Sequence, residues 1–572
     1  MTRAFVRHRG LIAFAAGGAM AEATLLSFLA PSARPLAPQV TALPPLAAYH
    51  DLRWLFAFNQ PWLGFTGVLV LLVVARSTVD AVLVMLAWPH EPALPRPSFL
   101  GSLLSCALLT VLTGAVMSPV VTLMFGVALL PFSWPYLAAV PILLGTAAAL
   151  SSGGVGQAWW RRLPPARTAA WVIATFGVLS LTSALMTHLD TPGIIAVAGL
   201  AGIVDARAWY GLTAAAVRGA VERPPHPWHW RAELYRFRLA LRQRTSWVPV
   251  APLAAVMVLA LVVGMARLAF TGTVNFDPGT REVVAGAAAV NVGRAPAAPK
   301  VASSPRPKAR GAVLVVSGFG SSCCHSANAL RRAEPHLDVR QFSYRGLTAG
   351  GQPIPYGRAG NLSLQVLGDR LAAQAEALSR QAGTPVDVVA ESEGTLGLYA
   401  MLARHPHGPA GSVILLSPIV EPGQFGQAAG TVPGAALTTL NNLVGGMSPY
   451  GRSGAQTLID SVGEVGASYF AQVSRDHGLP WLAVVPLADA VTLPACPWPR
   501  NVIFIDALHG GLLGDRSVQR IVETFLTTGA PPDRDLDELT GSTQQDLRSA
   551  ARLISGAAAA WRMPELHPAC PS

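Results

Sequence analysis

Long apolar stretches separated by short polar segments dominate the first 270 residues. Each stretch is apolar over roughly the 20 residues that a helix needs to cross a bilayer. The third and fourth stretches run almost together and are interrupted by Pro119, Pro131 and Pro135. The pattern predicts an α-helical transmembrane bundle of about seven spans, at residues 11–30, 62–88, 99–130, 136–152, 168–188, 193–217 and 248–270.

Arginine residues cluster at alternate ends of these spans. They precede the first span, lie between the fourth and the fifth, and precede the seventh. The positive-inside rule places these clusters in the cytoplasm, so an odd number of spans puts everything after residue 270 on the outer side. If the first span is a cleaved signal peptide, the remaining six keep the same orientation. The sequence therefore predicts a multi-pass cell-membrane protein whose second half is extracytoplasmic.

Composition agrees with a chain that lies partly in lipid. A mean hydropathy of +0.41 with 13% charged residues is too apolar for a protein that is soluble throughout. The net charge of +11 lies mostly between the apolar segments, where it sets topology. No long basic run with interleaved aromatic residues suggests nucleic acid. The partner that the composition predicts is the lipid bilayer.

Three charged residues lie inside predicted spans. Glu22 is mid-span, and Arg76 and Asp80 share one helix face at a spacing of four residues. Charged groups within spans are candidates for functional sites, here a lipid-headgroup or proton site. The alternative is that these charges neutralise one another in a salt-bridged cluster that holds the helices together.

From residue 311 the hydrophobic pattern changes to short apolar runs that alternate with amphipathic helices. This alternation predicts a mainly parallel α/β sheet covered on both faces. The predicted strands are 312–316, 339–343, 386–390, 412–416, 481–486 and 502–505, and the predicted helices are 328–336, 362–381, 395–403 and 516–526.

The chain therefore divides into parts of different character. Residues 271–310 are rich in Ala, Pro, Gly and Ser and read as a flexible tether that lets the second half move relative to the bilayer. The long insertion in the α/β domain carries apolar helical patches and predicts a cap over a site. The predicted boundaries are 1–270 for the membrane domain, 271–310 for the linker, 311–529 for the α/β domain with its cap at 420–480, and 530–572 for a tail with one helix near 547–561.

The candidate nucleophile is Ser392, in the run VDVVAESEGTLG. The pattern small-x-Ser-x-Gly is common by chance in this composition, and Ser151 matches it too. Ser392, however, follows a predicted buried strand and precedes a predicted helix, which is the context of a nucleophile elbow. Ala390 and Gly394 are small enough for that turn to close tightly. Ser151 has no such strand before it.

A serine hydroxyl needs a base to become a good nucleophile, and the base needs a carboxylate to orient it. His509 follows the last predicted strand, and Asp489 follows the strand before it. The sequence thus predicts the chain order Ser, Asp, His. Asp506, on the same strand as His509, is the second candidate for the acid.

Two backbone amides are needed to stabilise a developing oxyanion. One is predicted from Glu393, directly after the serine, and the other from Phe319, in the glycine-rich loop after the first strand. With these features residues 311–529 resemble the α/β-hydrolase superfamily in its lipase and esterase branch. Two departures are Ala390 in place of the first elbow glycine, and Ser317-Gly318 where a His-Gly pair is usual.

The resemblance implies a serine hydrolase that uses neither metal nor organic cofactor. Ser392 matches the family's nucleophile, Asp489 its acid, His509 its base, and Phe319 and Glu393 its oxyanion amides. The predicted reaction is cleavage of a carboxylic, lipid-like ester through an acyl-enzyme. The alternatives are an acyltransferase that modifies envelope lipids or glycans with the same residues, and a membrane transporter or scaffold whose hydrolase domain is inactive.

Two further features accompany the predicted site. The side chains of Glu391 and Glu393 flank the serine, where they either disfavour anionic substrates or simply point to solvent or to an arginine such as Arg345 or Arg358. Four cysteines occur in the second half, and in an oxidising compartment each of the adjacent pair is expected to bond to one of the distant pair. These are Cys323, Cys324, Cys496 and Cys570.

Overall fold

The fold is described from a computed structural model of the whole chain. The structure describes residues 8–29, 39–58, 61–89, 97–127, 166–186, 188–221, 311–318, 321, 325–355, 362–406, 408–419, 430–445, 478–488, 498–532 and 536–561. The predicted linker and most of the predicted cap lie outside these ranges.

The first half consists of helices. Four of those described are long and apolar enough to cross a membrane, namely α1, α3, α4 and α6, and α5 is apolar over a shorter length. They fall on five of the predicted spans, whereas residues 136–152 and 248–270 lie outside the described residues, so a total of about seven stays a prediction. The bounds are α1 Arg9–Leu29, α2 Pro44–Phe58, α3 Trp62–Ala87, α4 Phe99–Val127, α5 Ala166–Met186 and α6 Thr191–Val221.

Small residues let two of these helices approach closely. A side chain at Gly202 of α6 would lie 2.5 Å from the carbonyl oxygen of Ala15 of α1. Ala15 and Ala19 are fully buried on the facing side of α1. Helices in lipid associate through such tight contacts because burial of apolar surface drives them together only weakly.

The helix α2 was not predicted from the sequence. It is 15 residues long, too short to span a bilayer, and it carries buried polar side chains, among them His50 and Arg53. Its polar content hid it from a search for long apolar stretches.

The second half is a six-stranded parallel sheet with the order β2-β1-β3-β4-β5-β6. Apolar side chains on both faces are buried beneath helices, as the continuous apolar strands predicted. The bounds are β1 Ala312–Val316, α7 His325–Ala333, β2 Asp338–Gln341, α8 Leu364–Ala382, β3 Val386–Glu391, α9 Glu393–Arg404, β4 Ala410–Leu416, α10 Val432–Gly445, β5 Trp481–Ala488, β6 Val502–Leu508, α11 Arg516–Thr528, α12 Leu536–Thr540 and α13 Gln544–Ala559.

A glutamine side chain covers backbone groups at each edge of the sheet. Gln544 of α13 accepts a hydrogen bond from the amide of Phe504 at 3.1 Å and donates one to its carbonyl oxygen at 2.8 Å. Gln374 of α8 pairs in the same way with Ser343, just after β2, at 2.8 Å in both directions. Unpaired backbone groups at a strand edge can bond to a strand of another chain, and these two glutamines occupy such groups.

Two helical segments of the second half pack against the apolar helices of the first half. Trp561, just after α13, stacks on Phe176 of α5 with ring centroids 4.5 Å apart, and its indole donates to Ser180 at 2.9 Å. Leu437 of α10 belongs to the same buried apolar cluster as Val121 of α4. The second half thus packs on the helices of the first half through α10 and Trp561, while the movement expected from the linker's composition stays a prediction.

Candidate active site

The turn between β3 and α9 holds Ser392 in an unusual backbone conformation. Its φ of 54° and ψ of −121° lie outside the regions that residues with side chains prefer. Glycines make room for this turn: a side chain at Gly394 would lie 2.6 Å from the carbonyl oxygen of Val316, and one at Gly318 would lie 2.8 Å from the Ser392 Cβ. Strain of this kind is concentrated at functional sites.

The strained turn brings Ser392 to His509. The Ser392 Oγ lies 2.7 Å from the His509 Nε2, although 117 residues separate them in the chain. His509 directly follows β6, so the carboxyl ends of β3 and β6 present the two side chains at the same edge of the sheet. A neutral imidazole at this distance can take the hydroxyl proton and make the serine a nucleophile.

Asp489, the predicted acid, lies outside the described residues. The strand that precedes it, β5, ends at Ala488, and Ala488 pairs with Leu508. The residues that follow this pair along the chain are Asp489 and His509. Asp506, the second candidate, is exposed to solvent on β6.

Of the two predicted oxyanion amides, that of Glu393 belongs to the first residue of α9. An amide in the first turn of a helix has no acceptor within the helix and lies at the positive end of the helix dipole. Phe319 lies outside the described residues. Its neighbour Gly318 is described, and it lies against Ser392.

Glu391 does not point to solvent, which was one expectation from the sequence, because its side chain is only 5% exposed. Its Oε1 accepts a hydrogen bond from the Leu512 amide at 2.7 Å. Burial raises the pKa of Glu391, while the amides of Leu512 and Gly511 and the charge of His509 act in the opposite direction. Glu391 therefore ties the end of the nucleophile strand to the loop that carries His509.

Glu393 is also buried, contrary to the same expectation, and is 2% exposed. One of its carboxyl oxygens, Oε2, has no hydrogen-bond partner among the residues that the structure describes. Burial raises the pKa of Glu393 to about 8. The side chain is therefore largely neutral at pH 7 and places no fixed negative charge beside Ser392.

Ser417, which sequence reasoning missed, supports the same loop. It follows β4, is fully buried and has a φ of 44°. Its hydroxyl oxygen accepts a hydrogen bond from the Gly510 amide at 3.3 Å. The only sequence feature that could have indicated this role is the position of Ser417 directly after a buried strand and before Pro418.

Tyr344 holds the strand end on the other side of the site. Its hydroxyl donates to the Ser317 carbonyl oxygen at 2.5 Å, and Gln341 donates to the Ser317 hydroxyl at 3.1 Å. Ser317 and Gly318 are thereby fixed where β1 ends beside Ser392. Neither contact was predictable from local sequence, because each joins separate strands.

Among the described residues no group of three or more His, Cys, Asp or Glu side chains is arranged to hold a metal ion. Cys106 is a buried free thiol in α4. Cys323, Cys324, Cys496 and Cys570 lie outside the described residues, so their pairing stays a prediction.

Comparison with known proteins leaves the site to be interpreted from its own chemistry. No protein-family model, no curated protein and no solved structure matches this chain.

The first prediction concerns Gly318. Gly318→Ala places a methyl group 2.8 Å from the Ser392 Cβ, so the turn must shift, and we expect a loss of about 1–3 kcal/mol in the free energy of unfolding. Gly311→Ala is the matched control at the other end of the same strand, where the nearest atom would lie 3.7 Å away. Thermal unfolding of the two purified variants measures the difference, and equal stabilities would contradict the close contact.

The second prediction concerns Glu393 and pH. The folded chain keeps this carboxyl protonated up to about pH 8, whereas an unfolded chain releases the proton near the ordinary glutamate pKa of about 4.3. Rising pH between these values therefore favours the unfolded state by up to about 1.4 kcal/mol per pH unit. We expect Glu393→Gln to remove this loss of stability. The free energy of unfolding of the variant, relative to that of the natural chain, should therefore rise from acid pH to about pH 8 and then level off.

The exposed Glu538 provides the control for this measurement. Unfolding midpoints of the natural chain, Glu393→Gln and Glu538→Gln are compared across the same pH range. If the difference between the unfolding midpoints of Glu393→Gln and the natural chain is the same at every pH, Glu393 does not hold its proton in the folded state.

Proposed function

We propose that the protein is a membrane-bound serine hydrolase that cleaves carboxylic esters through an acyl-enzyme on Ser392. The observation that carries this proposal is the 2.7 Å contact between the Ser392 Oγ and the His509 Nε2 at a strained strand-to-helix turn. Each part of that arrangement has a chemical purpose. The turn exposes the hydroxyl at the carboxyl edge of the sheet, and the imidazole accepts its proton.

The reaction follows from these positions. His509 takes the Ser392 proton as the serine oxygen attacks the ester carbonyl carbon, and the amides of Phe319 and Glu393 hold the resulting oxyanion. His509 then gives the proton to the departing alcohol, which leaves the acyl group on Ser392. A water molecule, deprotonated by His509, attacks the acyl carbon and releases the acid and the serine.

Asp489 completes this scheme as the group that orients His509. The pairing of Ala488 with Leu508 supports the assignment, since Asp489 and His509 are the residues that follow this pair in the sequence. A carboxylate in this role selects the productive tautomer and stabilises the imidazolium. The exposed position of Asp506 argues against it as the acid.

The parallel sheet supports the resemblance to α/β-hydrolases. The serine follows the third strand, the proposed acid the fifth and the histidine the sixth, and all strands run in the same direction. Parallel alignment places the ends of these strands at one edge, which is where sites form in open α/β sheets.

The docking of the second half on apolar helices supports a lipid-like ester as the substrate class. The insertion that precedes β5 contributes α10, whose Leu437 is buried against α4. Part of the proposed cap therefore contacts a helix long enough to span a membrane. The positive-inside rule supports an extracytoplasmic hydrolase half in the cell membrane.

The third prediction is the loss of hydrolysis on removal of the nucleophile. Ser392→Ala should lower hydrolysis of a short-chain aryl ester by at least about 10³-fold, because no oxygen is left to form the acyl-enzyme. Ser151→Ala, which alters the other serine in a similar sequence pattern, is the control and should retain the natural rate. Undiminished activity in Ser392→Ala, or a natural chain that cleaves neither short- nor long-chain esters, would sink the proposal.

The fourth prediction separates the two candidate acids. Asp489→Asn should lower the rate by several orders of magnitude, since an amide favours the wrong imidazole tautomer, whereas Asp506→Asn should have little effect. The measurement is kcat on the same ester for both variants. The opposite ranking would transfer the role to Asp506.

A further inference from the structure

Polar side chains from several membrane helices meet at one short segment, residues 39–41. The Glu22 carboxylate of α1 accepts hydrogen bonds from the amides of Gln39 and Val40, the latter at 2.7 Å. The indole of Trp209 on α6 donates to the Thr41 carbonyl oxygen at 2.9 Å. A polar core thus lies within the bundle, away from Ser392 in the sequence and in the fold.

Arg76 does not pair with Asp80, although the sequence places them on one helix face. Its Nε and Nη2 donate to the two oxygens of Asp51 of α2, at 2.8 and 2.7 Å. Its Nη1 donates to the carbonyl oxygens of Gln39 and Val40, at 3.0 and 2.6 Å. None of these hydrogen bonds of the guanidinium goes to Asp80.

Asp80 and Asp205 consequently lack cationic hydrogen-bond partners in the described part of the chain. Asp80 on α3 is 0% exposed, and neither carboxyl oxygen has a hydrogen-bond partner there. Asp205 on α6 is also 0% exposed; its Oδ2 accepts a hydrogen bond from the Thr41 hydroxyl at 3.0 Å, and its Oδ1 has no partner. Both helices are long enough to span a membrane.

An ionised carboxylate is strongly disfavoured in such surroundings unless a cation or several donors neutralise it. Among the described residues, three charged or titratable groups interact electrostatically with Asp80: Arg76, which is already paired, Asp51 on α2, and Cys106 on α4. Asp205 interacts in the same way with Glu22 on α1. Further negative charge makes ionisation less favourable still. A proton is the simplest ligand that neutralises a buried carboxylate, since it needs no set of coordinating atoms.

We propose that Asp80 and Asp205 are two intramembrane proton-binding groups, each of which holds a proton while Asp51 remains ionised by its pairing with Arg76. These groups are independent of the serine chemistry proposed above. Buried carboxyl groups beside a fixed ion pair are typical of proton relays in membrane proteins. The first half of the chain therefore binds a ligand of its own, the proton. A segment that only anchored the second half in a membrane would not need such a ligand.

The test is infrared spectroscopy of the full chain in lipid vesicles at neutral pH, in the band of protonated carboxylic acids. Asp80→Asn and Asp205→Asn should each remove intensity from this band. Glu538→Gln, which alters an exposed glutamate of the second half, is the control and should remove none. Any contribution from Glu393 is common to all four spectra and cancels in the differences.

Unchanged spectra for Asp80→Asn and Asp205→Asn, or an equal loss for Glu538→Gln, would overturn the proposal. If the asparagine variants do not fold, dicyclohexylcarbodiimide labelling of the natural chain replaces them, because the reagent modifies protonated carboxyl groups in apolar surroundings. Peptide mass spectrometry should then find the label on Asp80 and Asp205 and not on Asp51. Labelling of Asp51 alone, or suppression of Asp80 labelling by sodium ions, would also contradict a proton site.

Discussion

The meeting of the segments that follow β1, β3 and β6 at one edge of the sheet is the constraint on which the candidate active site depends. Ser392 can adopt its strained turn only because Gly318 and Gly394 leave space beside it. The same turn brings its hydroxyl within 2.7 Å of His509, and Glu391 and Ser417 hold the loop that presents the histidine. The serine is thus positioned by backbone packing rather than by its own local sequence.

The two halves of the chain treat buried carboxyl groups in different ways. In the α/β half, Glu391 is stabilised by backbone amides, and Glu393 avoids its charge by keeping a proton. In the first half, Asp51 pairs with Arg76, and among the described residues neither Asp80 nor Asp205 has a cationic hydrogen-bond partner. Because α10 and α13 pack on the membrane helices, these two polar regions belong to one connected structure.

The order of strands and helices was predictable because continuous apolar runs of five or six residues mark strands buried on both faces. Ser392 and His509 were predictable because each directly follows such a strand, and both strands are parallel. The contacts of Glu391, Ser417 and Tyr344 were not, since each reaches a partner that only the tertiary fold brings close. The pairing of Arg76 was missed for a related reason: helical spacing suggested Asp80, but Asp51 lies on α2, a helix too short and too polar to stand out.

The most direct test of the central claim is to locate the residue that a fluorophosphonate modifies in the full chain. Such a reagent reacts with an activated serine whatever the natural substrate is, and peptide mass spectrometry identifies the modified residue. The account predicts one covalent adduct, on the peptide that contains Ser392. No adduct on the folded chain, or an adduct on a different serine, would contradict it.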